Sequence, residues 1–158
     1  MSNLTAVVNA AEALLSKDEE ALLLEIGLRE KAIQVDPTCG GEPYLRVQYD
    51  STHMGLIDDA KSLGRRIMMR WNKELYGVVC GKNAGGGAEK AEDKKMRDDL
   101  LKALNLGDAA VIAAVATGLI TLGAPAAIAA PVAPFLVKKF IMPAKEELCD
   151  AWGEAIVN

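Results

Sequence analysis

Histidine, aromatic residues and cysteine are all scarce in this chain, and each scarcity excludes something. The single histidine, His53, leaves few acid–base options near neutral pH. With two Phe, two Trp and three Tyr, the core has to be built from Leu, Ile, Val, Met and Ala, the usual contents of packed helices. Hydrophobic residues make up 51% of the sequence, which excludes intrinsic disorder as the main state. The length of 158 residues predicts a single domain over residues 1–158.

The number and spacing of the cysteines predict the redox environment of the protein. Cys39, Cys80 and Cys149 are widely spaced, odd in number and include no CxxC pair, so we expect free thiols in a reducing environment rather than a disulfide framework. The first residues, 1–5, lack the basic start and the apolar stretch of a secretory signal. Both features predict a cytoplasmic protein.

Helical spacing of apolar residues covers most of the chain and predicts an all-α fold, an irregular bundle of six or seven helices. Ser16 and Glu19 are placed to form a capping box at the start of the second helix, and Asp108 is placed to cap the fifth. A glycine-rich connector is expected at 81–87. The predicted helices cover residues 4–15, 17–36, 56–79, 88–104, 109–122, a segment starting at 125, and 135–156.

A loop at 37–43 is followed by a short strand-like segment, Tyr44 to Tyr49, in which apolar and polar residues alternate. A single strand has no partner of its own. This segment is therefore irregular, paired locally, or an edge offered to another chain.

The longest feature without charge is the run of 29 residues from Ala109 to Val137, of which eleven are alanine, three proline and two glycine. A Gly-Ala-Pro turn at 123–125 divides it into a helical hairpin, and Pro131 and Pro134 are expected to force a kink or a restart. Small residues allow helices to approach closely, whereas three prolines would leave carbonyls unpaired in lipid. We therefore favour a buried hairpin at the centre of the bundle, with Ile112, Val115 and Leu119 almost inaccessible, over a membrane segment.

The membrane interpretation has one further basis. The apolar hairpin, accompanied by amphipathic helices, resembles the hydrophobic hairpin of bacterial pore-forming domains. The resemblance covers about a fifth of the chain and implies that residues 109–137 could leave the bundle and enter a bilayer. No residue of this chain is assigned a role from this resemblance.

Few residues suggest catalysis. Cys39, in a glycine-rich loop, and His53 could form a nucleophile and base, but an ordinary loop cysteine and a surface histidine are favoured, so we expect the two side chains to lie beyond hydrogen-bond reach. The separations of His53 and the cysteines, 14, 27 and 69 residues, lack the paired ligands of structural zinc sites. The segment 77–83 has the wrong spacing for a phosphate-binding loop. We predict no metal and no cofactor.

Charges on two predicted helices form the remaining pattern. A basic patch on the long third helix is flanked by Asp58, Asp59 and Glu74, and acidic residues recur at fours on the last helix. We favour pairing of these two faces, within the molecule or across a dimer, over an RNA or lipid site. Arg66 or Arg70 is then expected to pair with one of the acids. The basic patch comprises Lys61, Arg65, Arg66, Arg70 and Lys73, and the acids are Glu146, Asp150 and Glu154.

These patterns favour a non-enzymatic helical interaction module, an adaptor or regulatory subunit that binds another protein or itself, and not nucleic acid. A membrane-active effector that inserts residues 109–137 is the first alternative, and an enzyme that uses Cys39 and His53 is the second. The candidate partner-binding residues are Tyr44, Tyr49, Arg65, Arg66, Arg70, Trp71 and Lys73.

Overall fold

The computed structural model describes residues 2–47, 54–80 and 91–157, and within these ranges it contains seven α-helices and no strand. The prediction of an all-α bundle of six or seven helices is confirmed. Pro37–Gly41 and Lys145–Glu147 form short 3₁₀ turns, and Val137–Ile141 forms a π-helical turn. The helices are α1 (Ser2–Leu14), α2 (Glu19–Val35), α3 (Met54–Val79), α4 (Ala91–Ala103), α5 (Asp108–Thr121), α6 (Ala126–Leu136) and α7 (Leu148–Val157).

Two predicted helix caps are wrong. The carboxylate of Asp18, not the hydroxyl of Ser16, caps α2 and accepts a hydrogen bond from the backbone N–H of Ala21 at 2.8 Å. At the start of α5 the cap position is Gly107, with φ +109°, and no side chain caps the helix. Asp108 lies in the first turn instead, where its negative charge still suits the helix dipole.

The α5–α6 hairpin occupies the centre of the bundle, as predicted. Ile112 and Leu119 are 0% exposed and Val115 is 1% exposed, and every residue from Ala126 to Val137 is buried. Helix α1 packs on both members of the hairpin, α2 covers α6 and α4 covers α5, whereas α3 lies mainly against α2. One continuous apolar cluster contains residues from all seven helices.

Helices α2 and α3 approach unusually closely at two glycines. A β-carbon on Gly27 would overlap the carbonyl oxygen of Ala60, and one on Gly64 would overlap the carbonyl oxygen of Leu23. These glycines therefore allow backbone-to-backbone contact along the most extensive helix pair of the bundle.

Of the kink or restart predicted at Pro131 and Pro134, the restart is wrong, because α6 continues through both prolines to Leu136. Proline has no N–H, so Pro131 leaves the carbonyl of Ala127 without its helical donor. The buried guanidinium of Arg29 replaces that donor, since its Nη1 lies 3.0 Å from the Ala127 oxygen.

The π-helical turn that follows α6 connects it to the first two helices. The Nζ of Lys138 donates to the carbonyl oxygens of Leu15, at 3.0 Å, and Lys17, at 2.6 Å, at the end of α1. Lys139 pairs with Glu19 at 3.0 Å in the first turn of α2. The end of the hairpin is thus anchored to the α1–α2 turn.

The prediction of free cysteines is wrong for two of the three, because Cys80 and Cys149 form a disulfide across 5.5 Å between their Cα atoms. Cys39 is free and half-buried. The bonded pair is 69 residues apart in sequence, so its proximity is a property of the fold. The inference of a reducing compartment therefore loses the observation on which it depended.

The disulfide is one of several contacts that hold α7 on α3. The indole N–H of Trp152 donates to Asn72 at 2.6 Å, and both residues are 0% exposed. The Tyr76 hydroxyl donates to the carbonyl oxygen of Cys149 at 3.1 Å, and its ring meets Trp152 edge-on at 5.3 Å. Helix α7 is thus fixed by covalent, polar and aromatic contacts.

Two further sequence predictions concern extended and membrane structure. Residues 44–47 are not part of a strand, and Tyr49 lies outside the described ranges, as do the connector at 81–87 and His53. Among the helices described, none has the length and apolarity needed to cross a bilayer.

Candidate partner-binding surface

The longest helix carries an exposed basic face, which we define as Arg65, Arg66, Arg70 and Lys73 of α3. Within the ranges that the structure describes, none of these side chains forms an ion pair. The prediction that Arg66 or Arg70 pairs with a carboxylate of the last helix is therefore wrong. Of the predicted basic patch, Lys61 does have an acidic partner, Glu20, at 3.5 Å.

The last helix turns its acids away from α3, which explains why the predicted pairing fails. Its inner side presents Cys149, Trp152 and Ile156 to the bundle. Asp150 and Glu154 are four residues apart and therefore share the outer side. We call Glu146, Glu147, Asp150 and Glu154 the acidic ridge: all are exposed, and no ion pair involves them in the described part of the chain.

Trp71 lies beneath the basic face and contacts Arg70. Its side chain is 7% exposed, so it belongs to the core rather than to the surface. The guanidinium of Arg70 lies 5.0 Å from the centre of the Trp71 ring, within the range of a cation–π contact. This contact gives Arg70 a preferred orientation on an otherwise open surface.

Tyr44, the other described candidate, is 55% exposed and follows the Pro37–Gly41 turn. No hydrogen bond, ion pair or ring contact described in the structure joins it to the basic face. The fold therefore gives no reason to treat Tyr44 and the basic face as one site.

A groove that the sequence did not predict separates α3 from the end of α7. It has a volume of about 490 Å³, with a floor of sulfur and aromatic side chains and a rim that includes Arg65 of the basic face. The floor residues come from different helices, so the spacing of apolar residues within any one helix cannot reveal the groove. The adjacent Met68 and Met69 are the one local feature of the sequence that points to it. The lining includes Met68, Met69, Phe135, Phe140 and Ile156, with Glu19, Glu20 and Lys139 at the rim.

Of the two residues suggested for catalysis, Cys39 is described and His53 lies outside the described ranges. The expected separation of their side chains therefore stays a prediction. Near Cys39, the hydroxyl and then the backbone N–H of Thr38 donate to Asp36, and both hydrogen bonds lower the pKa of its carboxyl. Asp36 caps the Pro37–Gly41 turn, so this arrangement is a local turn motif. Among the described residues, no group of three or more His, Cys, Asp or Glu side chains is arranged to hold a metal ion.

A second cleft, of about 390 Å³, lies between α4 and α5 beside Met96 and Gly118. The hydroxyls of Thr117 and Thr121 on its wall donate to carbonyl oxygens of their own helix at 2.7 and 2.9 Å. Their donors are therefore engaged within the helix, which leaves the basic face as the stronger candidate for recognition.

Comparison of the chain with protein-family models, with curated proteins and with solved structures finds no match. Its function therefore has to be inferred from the surface itself.

Proposed function

We propose that the protein is a non-enzymatic interaction module, an adaptor or regulatory subunit, that binds an acidic surface of a protein through the basic face of α3. The observation that supports this is the exposure of four cations between Arg65 and Lys73 without an ion pair in the described part of the chain. Charged side chains at a rim select partners and accelerate association more than they add affinity. A face of this kind on the longest helix suits recognition.

The borders of the face favour a protein partner over nucleic acid or lipid. Asp58, Asp59 and Glu74 lie exposed at the two ends of the basic stretch, and the net charge is −4. A continuous row of phosphates would meet these carboxylates, whereas a protein surface can place its own cations opposite them. A basic stretch bounded by carboxylates at both ends is therefore better matched by another protein.

The test is a direct binding panel with three probes: a glutamate-rich peptide, a DNA duplex and vesicles that contain phosphatidylglycerol. We expect the peptide to bind, and R66E/R70E to abolish its binding, whereas K94E/K102E on exposed positions of α4 leaves it intact despite the same change in net charge. Binding of the duplex or the vesicles, with no binding of the peptide, would contradict a protein partner.

The second candidate, a membrane-active effector, is supported by the hairpin. Twelve consecutive residues, Ala126 to Val137, are uncharged and buried beneath α1 and α2. Separation of these covering helices would expose a continuous apolar surface. Flotation with phosphatidylglycerol vesicles tests this: a protein that stays at the bottom of the gradient supports the interaction module, and one that floats at high salt supports insertion, because salt screens simple adsorption to the headgroups.

A cytoplasmic location stays a prediction of the sequence. The Cys80–Cys149 bond removes one of its two grounds, since disulfides are rare in reducing compartments. The redox state of these cysteines in freshly lysed cells, trapped by alkylation, distinguishes the two environments.

A further inference from the structure

We propose that the acidic surface recognised by the basic face is the acidic ridge of a second copy of this chain. This inference rests on the proposed function and names its partner. It starts from the coexistence, on one molecule, of an open basic face and an open acidic ridge of equal size, four residues each. Neither set forms an ion pair within the described part of the chain.

The fold prevents the two sets from neutralising each other within one chain. Cys149 is bonded to Cys80, whereas Trp152, further along α7, contacts Asn72, earlier in α3, so the two helices run antiparallel. The inner side of α7 is occupied by these contacts, and Asp150 and Glu154 point outward. Rotation of α7 to bring its acids to the basic face would break the disulfide and the buried Trp152–Asn72 bond.

The same contacts make α3 and α7 one rigid recognition unit. A two-fold axis between two copies would set the basic face of each against the acidic ridge of the other. The dimer would then contain two equivalent contacts, and every basic face and acidic ridge would have a partner. The groove between α3 and the end of α7 borders the basic face at Arg65 and reaches Ile156 on α7. Its half-buried Met69 and Ile156 offer the apolar centre that a charged rim alone lacks.

Association through exposed charges is weak and sensitive to salt. We therefore expect a reversible dimer whose association constant falls about tenfold or more between about 50 mM and about 500 mM NaCl, because the Debye length shortens over this range. Sedimentation velocity at several protein concentrations measures both the dimer and its salt dependence.

Charge reversal provides the decisive experiment. R66E/R70E cancels the net charge of the basic face, and D150K/E154K cancels that of the acidic ridge. Each variant alone therefore loses the net attraction between the face and the ridge and is expected to be monomeric. Mixed in equal amounts, the two variants restore opposite charges at both contacts and should form a heterodimer. K94E/K102E, on exposed positions of α4, is the matched control and should dimerise like the unmodified chain. Circular dichroism of each variant verifies that it is folded.

The outcomes separate this inference from the proposed function. A chain that stays monomeric at low salt, while R66E/R70E still abolishes binding of the acidic peptide, overturns self-association and leaves the interaction module standing. A dimer that ignores salt and charge reversal overturns the assigned interface. Loss of peptide binding and of dimerisation together in R66E/R70E, with recovery of the dimer in the mixture, supports both.

Discussion

At the residue scale, Arg29 shows how a buried charge is used to complete a helix. Its guanidinium is 4% exposed and donates to the carboxylate of Glu25 at 2.7 Å and to the carbonyl oxygens of Pro43 at 2.8 Å and Ala127 at 3.0 Å. The Ala127 carbonyl needs this donor because Pro131 provides none. One side chain therefore connects α2, the loop before α3 and the central helix α6.

Replacement of Arg29 by alanine should destabilise the fold by about 2–4 kcal/mol, because it leaves two buried carbonyls without donors and Glu25 without its cation. Urea unfolding measures the change. The control is Arg46→Ala at an exposed position, which should cost less than about 0.5 kcal/mol. Equal stability of the two variants would show that water satisfies the Ala127 carbonyl.

The role of Arg29 could not be predicted from the sequence, because its acceptor lies 98 positions away. The N-terminal cap of α2 is a second position that the sequence pattern predicted wrongly. Ser16 matched a capping pattern, but Asp18 is adjacent to the first helical residue and accepts more strongly because it is charged. Local patterns located most ends of the first five helices to within about two positions, the usual precision of such boundaries. The prediction of one last helix over 135–156 is wrong, because α6 ends at Leu136 and α7 begins only at Leu148.

At the element scale, periodicity identified most helices but not the contacts between them. The segment 56–79 was predicted as one helix and is observed as Met54–Val79. In contrast, Gly27 and Gly64 carry no local sign that they meet, and the Cys80–Cys149 bond required the antiparallel pairing of α3 with α7. Such pairings depend on chain folding over long sequence distances, which apolar spacing does not encode.

Gly64→Ala is expected to destabilise the α2–α3 pair by about 3 kcal/mol or more. Alanine favours a helix by about 1 kcal/mol over glycine, but a β-carbon at this position would overlap the rigid backbone of Leu23, and overpacking therefore dominates. Thermal unfolding measures the balance. Gly41→Ala, at a site with no atom near the added β-carbon, is the comparison and should be close to neutral. A stabilised Gly64→Ala protein would mean that the two helices are further apart.

Removal of the disulfide by Cys80→Ser together with Cys149→Ser should reduce stability by about 2–4 kcal/mol, because the unfolded chain regains the freedom of a 69-residue separation. Urea unfolding of the oxidised and reduced protein should reproduce the same difference. Cys39→Ser should have little effect, since this thiol is free. If reduction leaves the unfolding midpoint unchanged, the two sulfurs are not bonded in solution.

At the scale of the whole molecule, the absence of charge between Ala109 and Val137 was the most informative property of the sequence. A segment with no polar face cannot be left in water, so its burial followed from composition, and the structure places it at the centre. The outward faces were harder to predict. Surface charges can pair in many arrangements, and the expected contact of Arg66 or Arg70 with the acids of α7 is absent from the described residues.

Ala116→Arg tests the central position of the hairpin. Ala116 is 0% exposed in α5, so an arginine there would bury an unpaired charge and should cost several kcal/mol, enough to unfold a domain of this size. Ala109→Arg, exposed at the start of the same helix, should cost less than about 1 kcal/mol. Circular dichroism during heating compares the two. A folded, stable Ala116→Arg protein would contradict the packing of α5.

The Cys80–Cys149 bond also divides the chain into a closed ring and an open arm. The ring contains α4, α5 and α6, whereas α1 and α2 precede it and are held to the hairpin by non-covalent contacts alone. A protease that cuts one peptide bond between residues 80 and 149 therefore leaves a single covalent molecule, which migrates as one band on a non-reducing gel and separates into two pieces after addition of a thiol. A cut in the turn at 15–18 releases the α1 segment as a separate peptide under either condition.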